Sequence, residues 1–431
     1  MKATVVGGGL AGSEAAWALA ERGVEVQLLE MRPVVSTPAH RTERLAELVC
    51  SNTFKSVETT NAHGLLKAEL RLLGSVLLPC ADEARVPGGS ALAVDRDVFS
   101  ALADARISSH PRISLERVEA TVLPSPGIIA TGPLTSDRLA AAISARLGGD
   151  ALAFYDAIAP IVSVESLDPD RMYALSRYGK GDGDDYLNCP LDRSEYEAFI
   201  DALAAADQFT AHEFDSVPYF EGCLPIEEMA RRGRDTPRFG PMKPVGLPDP
   251  RTGREPYAVV QLRREDRAGQ MWNLVGFQTR LRIPEQKRVF SMIPGLGHAD
   301  FLRYGSIHRN AYLNTPKTLG PALTARDDDA LFFAGQLTGV EGYTESLGTG
   351  LLAGINLARR LAGGDVAVPP PTTMLGGLYR YLRDADPAHF QPMNANFGLL
   401  DPLAGRVPKD KKKAMLAERA LADMQQWVGA L

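Results

Sequence analysis

Apolar residues near the start of this chain come in strand-length runs separated by helical stretches. Lys2-Ala3-Thr4-Val5-Val6 is a short apolar run of the kind that is buried on both faces. Gly7-Gly8-Gly9-Leu10-Ala11-Gly12 follows, and Ser13 to Arg22 has the spacing of a helix. Val24 to Leu29 is a second strand, ending at Glu30. The alternation of strands, helices and glycine-rich turns continues to about Ile158, as in an α/β domain. Within it, Ile128-Ile129-Ala130-Thr131-Gly132 reads as a strand running into a turn. From about Ala159 the texture changes to charged turns, and Thr236 to Pro256 is dense in proline and glycine. Tyr257 to Leu262 and Met271 to Phe277 predict a hairpin closed by the charged turn Arg263 to Gln270. The α/β texture returns near Phe301. Ala330 to Gly335 predicts a buried strand, Gln336 to Gly348 a polar loop, and Thr349 to Leu361 a helix with small residues at Gly350, Ala353 and Gly354. Beyond Pro369-Pro370-Pro371, Lys409 to Met424 predicts a solvated surface helix.

This pattern predicts an α/β fold. A Rossmann-like cofactor domain is discontinuous, over 1–158 and 299–431, and an α+β domain that contacts the substrate is inserted over 159–298. The first thirty residues form the dinucleotide fingerprint in its required context of strand, GxGxxG, helix, strand and acid. Gly7 allows the tight turn, Gly9 lets the backbone approach a pyrophosphate, and Gly12 lets the helix pack on the strand. The helix-start N–H groups around Gly8, Leu10 and Ala11 face the anion. Glu30, 18 residues past Gly12, is placed to accept hydrogen bonds from a ribose. An acid there disfavours a 2′-phosphate, so the tight ligand is expected to be FAD or NAD rather than NADP. Gly335, Gln336 and Gly350 mark a second cofactor contact, where the late helix would begin beneath a flavin and favour negative charge on its reduced form. Tyr343 is the candidate for stacking on that ring.

Composition narrows the picture. The chain has 431 residues, 45% hydrophobic and 23% charged, ordinary for a globular protein of more than one domain. No apolar run approaches the roughly 20 residues of a membrane span. The N-terminal apolar stretch carries a triple glycine and Glu14, unlike a signal peptide, so a cytoplasmic protein is expected. The formal charge is −6, yet Gly222 to Phe290 holds 14 Lys and Arg against 8 Asp and Glu, a local +6 that leaves −12 elsewhere. A basic segment in an acidic protein can bind a polyanion. The cysteines Cys50, Cys80, Cys189 and Cys223 lie far apart with no CxxC or Cys/His grouping, so no metal site is expected and each thiol is either packed or reactive.

Further segments carry a family resemblance. They are Pro38-Ala39-His40, Leu48-Val49-Cys50-Ser51-Asn52, Leu187-Asn188-Cys189-Pro190, Phe220 to Glu227, Phe239 to Leu247, Gly339 to Tyr343 and Gln391 to Gly398. With the opening Val5 to Ala16 they resemble the glucose-inhibited division protein A flavoproteins. Within that group they are similar to the folate- and FAD-dependent tRNA (uracil-5-)-methyltransferases, over nearly the whole chain. The resemblance implies methylation of the T-loop uridine of tRNA. The carbon would come from methylenetetrahydrofolate and the reducing equivalents from NADPH or NADH through FAD. It also implies two catalytic cysteines, Cys50 and Cys223. Carbon 5 of uracil is a poor nucleophile, and a thiolate added at carbon 6 makes it enolate-like. Cys223 is assigned that attack and Cys50 the methylene side or removal of the carbon 5 proton; the exchanged assignment fits the sequence as well. Ser51 and Asn52 are placed to cap a following helix, whose start would activate Cys50. Cys80 and Cys189 read as packed. His308 is the candidate to stack on the pterin. Contacts to tRNA phosphates are expected from Arg231, Arg232, Arg234, Arg238, Lys243, Arg280, Arg282, Lys287 and Arg288.

Two other functions share the fold. One is an NAD(P)H-dependent flavin oxidoreductase on a small molecule, which would not need the basic segment. The other is a non-catalytic flavoprotein that binds tRNA as a partner, which would tolerate loss of Cys223. No second Rossmann fingerprint occurs, so a nicotinamide would dock only briefly; a monomer or weak dimer is expected.

Overall fold

The computed structural model describes residues 1–37, 39–148, 152–209, 224–405 and 407–431; the side chains of 152–157 and 307–309 lie outside that description. Cys223 therefore lies outside the described residues, as does the side chain of His308.

The opening run forms strand β1 (Lys2–Val6), helix α1 (Leu10–Glu21) and strand β2 (Glu25–Glu30). β1 sits in the middle of a six-stranded sheet. Its neighbours are Glu25–Glu30 and Gly127–Ile129, flanked by Ile113–Arg117 on one side and Asp328–Phe333 on the other. These pairs are parallel, with Val5 opposite both Leu28 and Ile128 and with Phe332 opposite Ile128. Strands from the two ends of the chain thus lie side by side. Val5, Ile128 and Phe332 are completely buried, as strands covered on both faces must be.

The helix Tyr343–Leu361 packs along α1, and this contact needs glycine. A Cβ on Gly350 would lie 2.1 Å from the Ala11 carbonyl oxygen, and one on Gly354 2.5 Å from that of Ala15. The helix begins at Tyr343, six residues before the expected Thr349. Glu345, Thr349 and Asn356 are polar yet buried, which masked the helical period in the sequence.

A second six-stranded sheet is antiparallel, in the order Tyr173–Ala174, Tyr186–Leu191, Ala258–Arg264, Met271–Leu274, Ile161–Ser163 and Phe301–Arg303. The expected hairpin is present, with Leu262 opposite Leu274. This sheet has its own core with Phe199, Phe277, Val289 and Phe290, drawn partly from the helices Arg193–Ala204 and Ile283–Phe290. The antiparallel pair Leu152–Ile158 and Ser306–Tyr312 carries the chain between the two sheets. The C-terminal helix spans Lys412–Val428, and Leu416, Ala420 and Met424 give it a buried face rather than a wholly solvated one.

Candidate active site

The fingerprint turn has the geometry its sequence requires. Gly7 has φ +101°, a conformation side chains resist, and its N–H donates to the Leu29 carbonyl at 2.8 Å. A Cβ on Gly12 would sit 1.7 Å from the Gly7 carbonyl oxygen, so only glycine lets α1 start this close to β1. A Cβ on Gly9 would meet nothing within 4 Å, which leaves the backbone open to an incoming group. Beside it is a cavity of about 530 Å³ lined by Gly7, Gly9, Glu30, Arg32 and Leu134.

Glu30 is engaged differently from expectation. Its carboxylate accepts from the Gly8 N–H (2.8 Å), the Arg32 N–H (3.0 Å) and Arg32 Nε (2.9 Å). Burial pushes its pKa up, but these bonds and the Arg32 charge outweigh burial and hold it below the usual carboxylate range. The acid is therefore fixed from within, with one of its roughly four lone-pair sites, on Oε2, left over for a ribose. Gly8 is committed to this contact, because a Cβ there would strike Leu45 and Glu30. Gly350 packs against Ala11 where the two helices meet.

A larger cavity adjoins the first, sharing Leu134, and is lined by Cys50, Lys55, Gln336, Tyr343 and Asn310 among others. Its walls come from the second sheet (Arg263, Asn273), from the pair Leu152–Ile158 and Ser306–Tyr312, from the strand Thr53–Ser56 and from the start of the late helix. Cys50 is half-buried here. The segment after it is the strand Thr53–Ser56 rather than the expected helix, so Ser51 and Asn52 cap none. Asn52 is fully buried and ties the strand Ala91–Val94 to the second sheet instead. Its side-chain amide donates to the Val94 carbonyl (3.0 Å) and the Arg264 carbonyl (2.7 Å), and its oxygen accepts from Arg263 Nε (3.0 Å). These three bonds satisfy most of the Asn52 amide's hydrogen-bonding capacity.

Tyr343 acts first as a clamp. The N–H groups of Cys50 and Ser51 donate to its hydroxyl oxygen (3.1 and 2.9 Å), and that hydroxyl donates to the Ser51 carbonyl (2.8 Å). Its ring packs edge-on against Phe54, with centroids 5.6 Å apart. Burial, and then the neighbouring Cys50, push its phenol above the ordinary range.

Sequence reasoning missed the cations that surround the Cys50 segment. Arg96 Nε lies 2.9 Å from Glu265, just past the second sheet's strand Ala258–Arg264, with Glu265 buried and Arg96 nearly so. Arg303 donates to the Val49 carbonyl at 3.2 Å. Lys55 has φ +62° and donates to Asn394 Oδ1 at 2.9 Å, and Glu345 accepts from His63 and the Ala395 N–H. Strained backbone of this kind concentrates at functional sites. Nothing in the local sequence announces these partners, which come from far along the chain.

The other thiols are packed. Cys80 donates to the Val76 carbonyl, and full burial drives the Cys189 thiol well above its ordinary pKa. Among the described residues no group of His, Cys, Asp and Glu could hold a metal ion, and no helix is long and apolar enough to cross a membrane.

The basic segment is less free than its count suggests. Arg231 and Arg232 approach Glu228 (2.5 and 3.7 Å), Arg288 pairs with Glu285 (2.5 Å), and Arg234 pairs with Asp201. Arg238 donates to the Tyr257 carbonyl at 2.7 Å and stacks 3.9 Å above that ring. The Arg280 N–H is held by the buried Glu227 at 2.7 Å. Lys243, Arg282 and Lys287 are exposed. Exposed pairs contribute under about 1 kcal/mol, so phosphates can exchange into them.

These features agree with the comparisons to known proteins. The family model for glucose inhibited division protein A matches residues 2–365. The chain belongs to that family. Two relatives are named methylenetetrahydrofolate–tRNA-(uracil-5-)-methyltransferase TrmFO. The one from Geobacter sulfurreducens is 58% identical over 99% of each chain. The one from Symbiobacterium thermophilum is 55% identical over 98% of this chain and 96% of its own. Among solved structures, Aquifex aeolicus GidA in its form II crystal superposes with a TM-score of 0.71 at 15% identity, over 99% of this chain and 73% of that one. That likeness shows the family's fold.

The donor set fits an adenine dinucleotide bearing a flavin. The fingerprint turn leaves Gly9 open, and the two cavities meet at Leu134, so one elongated group could run from Glu30 to Cys50.

Proposed function

We propose that this chain is a tRNA methyltransferase that makes ribothymidine from the T-loop uridine. Methylenetetrahydrofolate is the carbon donor, and FAD, reduced by NADPH or NADH, is the reductant. The observation that carries this reading is identity of 53–58% with relatives so named, extending over essentially the full length of each. FAD, when bound, supplies the hydride that turns a transferred methylene into a methyl group. Gly7, Gly9 and Gly12 would admit its pyrophosphate, Glu30 its ribose, and Gly335, Gln336 and Tyr343 would face its ring.

The chain's own groups do the rest. One of Cys50 and Cys223 adds as thiolate to carbon 6 of uracil, making carbon 5 nucleophilic; the other serves the methylene side or takes the carbon 5 proton. The Tyr343 hydroxyl fixes the backbone on both sides of the Cys50 carbonyl, so the thiol meets its target from a set position. His308 would stack on the pterin. The target uridine must leave the T-loop stack to enter the cavity. Lys243, Arg282 and Lys287, with Arg231, Arg232, Arg234, Arg238, Arg280 and Arg288 after exchange of their partners, would hold the phosphates. In this reading 1–158 with 299–431 is the cofactor domain, 159–298 is the substrate domain, and the protein works in the cytoplasm.

The test is tritium release from unmodified tRNA labelled at uracil carbon 5, with FAD-loaded enzyme, methylenetetrahydrofolate and NADPH. Release that requires folate and is lost in Cys223→Ala and Cys50→Ala supports the proposal. A protein that oxidises NADPH steadily but never releases tritium is an oxidoreductase on another substrate.

A further inference from the structure

Tyr178 is held in a conformation that tyrosine resists, and it shows its ring to water. Its φ is +59° and its ψ 27°, in the left-handed region, and the residue is 66% exposed. A large side chain there costs folding free energy, and an exposed ring recovers little of it by burial. The surroundings nevertheless secure this pose. The Tyr178 N–H donates to the Gly246 carbonyl at 3.2 Å, and the ring lies so close over Gly246 that a Cβ there would fall 2.5 Å from Tyr178 Cε1. Beside it the Arg177 guanidinium donates to the Val245 carbonyl, to the Lys243 carbonyl at 2.8 Å and to Gln261 Oε1 at 3.2 Å. Two turns are clamped together, and what they present is one flat ring. Strain that the surrounding structure maintains is a mark of use.

The ring stands beside the Cys50 cavity. Pro241, on the same segment as Gly246, packs so closely on Gly276 that a Cβ there would lie 2.5 Å from it, and Gly276 lines the cavity. Gln261, a partner of Arg177, shares a strand and a face with Arg263, which lines the cavity about 7 Å further along. The charge around the ring is mostly positive. Arg177 reaches carbonyl and amide oxygens and pairs with no carboxylate among the described residues. Lys243 is exposed, and Lys180 meets only the exposed Glu58, at 2.6 Å. The acid on this face, Glu255, accepts from the Gly246 N–H at 2.7 Å.

A uridine drawn out of a loop leaves its neighbour without a stacking partner. An aromatic ring set among cations takes such a base whatever its identity. We infer that Tyr178 is the platform on which the nucleotide next to the target uridine stacks. The inference rests on the tRNA reading of the Cys50 cavity, and it adds a base contact to the phosphate contacts of the basic segment. The two kinds of contact differ in a measurable way: losing a phosphate contact changes the dependence of affinity on salt, whereas losing a stacked base leaves it alone.

The experiment is a titration of labelled, unmodified tRNA with FAD-loaded enzyme over a range of salt, for wild type, Tyr178→Phe, Tyr178→Leu, Tyr178→Gly and Lys243→Ala. Tyr178→Leu and Tyr178→Gly should each bind about tenfold more weakly, the value of one base stacked on an aromatic ring, with the wild-type slope of log affinity against log salt. Tyr178→Phe should bind like wild type. Lys243→Ala should instead make the slope shallower by about one. Glycine is at ease in the left-handed region, so Tyr178→Gly should melt no lower than wild type even as it loses tRNA affinity. Full tRNA affinity in Tyr178→Leu and Tyr178→Gly overturns the platform, and a lower melting point in the glycine variant would then make the ring a cover for Gly246. A shallower salt slope in Tyr178→Leu also overturns it, because the residue would then act by arranging Arg177 and Lys243. If wild type binds no tRNA, the tRNA reading of the whole site falls first.

Discussion

Two walls of the same site are built by opposite means. The fingerprint turn gets its shape from residues within about thirty positions: Gly7 turns, Gly12 touches Gly7, and Glu30 holds the Gly8 N–H. The Cys50 segment gets its shape from residues far away. Tyr343 is 293 positions from Cys50, Arg264 is 212 from Asn52, and Arg303 is 254 from Val49. A local wall tolerates change elsewhere in the chain and fails abruptly when its own residues change. A non-local wall fails by degrees, because each distant partner contributes one bond. The contrast also divides the labour, with the first wall suited to a tightly held cofactor and the second to a thiol set by the late helix and the second sheet.

The sharpest break should come from Gly12→Ala. Its Cβ would overlap a backbone oxygen that cannot move without dismantling β1. A loss above about 4 kcal/mol is expected, and with it no folded yellow protein in a thermal scan of the purified variant. Gly9→Ala separates folding from cofactor there. Its Cβ meets no atom, so the apoprotein should melt like wild type while flavin content falls to near zero. Normal flavin in Gly9→Ala would remove the pyrophosphate from this turn.

On the second wall the largest effect belongs to Asn52→Ala. It leaves two buried carbonyls and the Arg263 guanidinium without their partner, and should cost about 3 kcal/mol. Flavin should still bind, because the fingerprint is untouched. Urea unfolding gives the first number and absorbance the second; loss of both together would mean that the two walls are one cooperative unit.

These residues also explain what the sequence disclosed. The fingerprint, the parallel strands and the hairpin were legible because their determinants are local: glycine spacing, apolar runs and a charged turn. The start of the late helix was not, since Glu345 and Thr349 are polar residues buried by partners elsewhere. Nor was the conformation after Cys50. Ser51 and Asn52 are good caps in isolation, but the antiparallel pairing of Thr53 with Ala93, and Asn52's partners on the second sheet, draw the segment into a strand. The cations Arg96, Arg303 and Lys55 look like any surface charges until the fold brings them to Cys50.

Glu14 sharpens the comparison from inside the fingerprint helix. It is fully buried on α1, yet its carboxylate serves a distant helix, accepting from the Ser75 hydroxyl and the N–H groups of Val76 (3.1 Å) and Leu77 (3.1 Å). Burial pushes its pKa up to about 7, against the partial opposition of those bonds. A raised folded value means that the folded state holds a proton that the unfolded state has released. Its contribution is complete below the ordinary value of 4.5 and is lost as pH rises to about 7. Stability should decline by on the order of 3 kcal/mol across that window, and Glu14→Gln should flatten the decline. Thermal midpoints of both proteins at pH 5 and pH 8 decide it; parallel curves would mean that Glu14 titrates normally.

Tyr343→Phe is the mildest change and the most discriminating. The ring keeps its edge contact with Phe54, so the cavity wall survives. What is lost is one hydroxyl that accepts from two N–H groups and donates to one carbonyl, about 1 kcal/mol of net stability. If the hydroxyl is a clamp on the Cys50 segment, methylation should slow about fivefold, the rate equivalent of that energy, at unchanged flavin content and unchanged tRNA affinity. If instead the variant loses flavin and keeps its turnover per bound flavin, the residue belongs to the cofactor wall. The boundary between the two walls would then run between Tyr343 and Ser51, with the late helix on the side of the fingerprint.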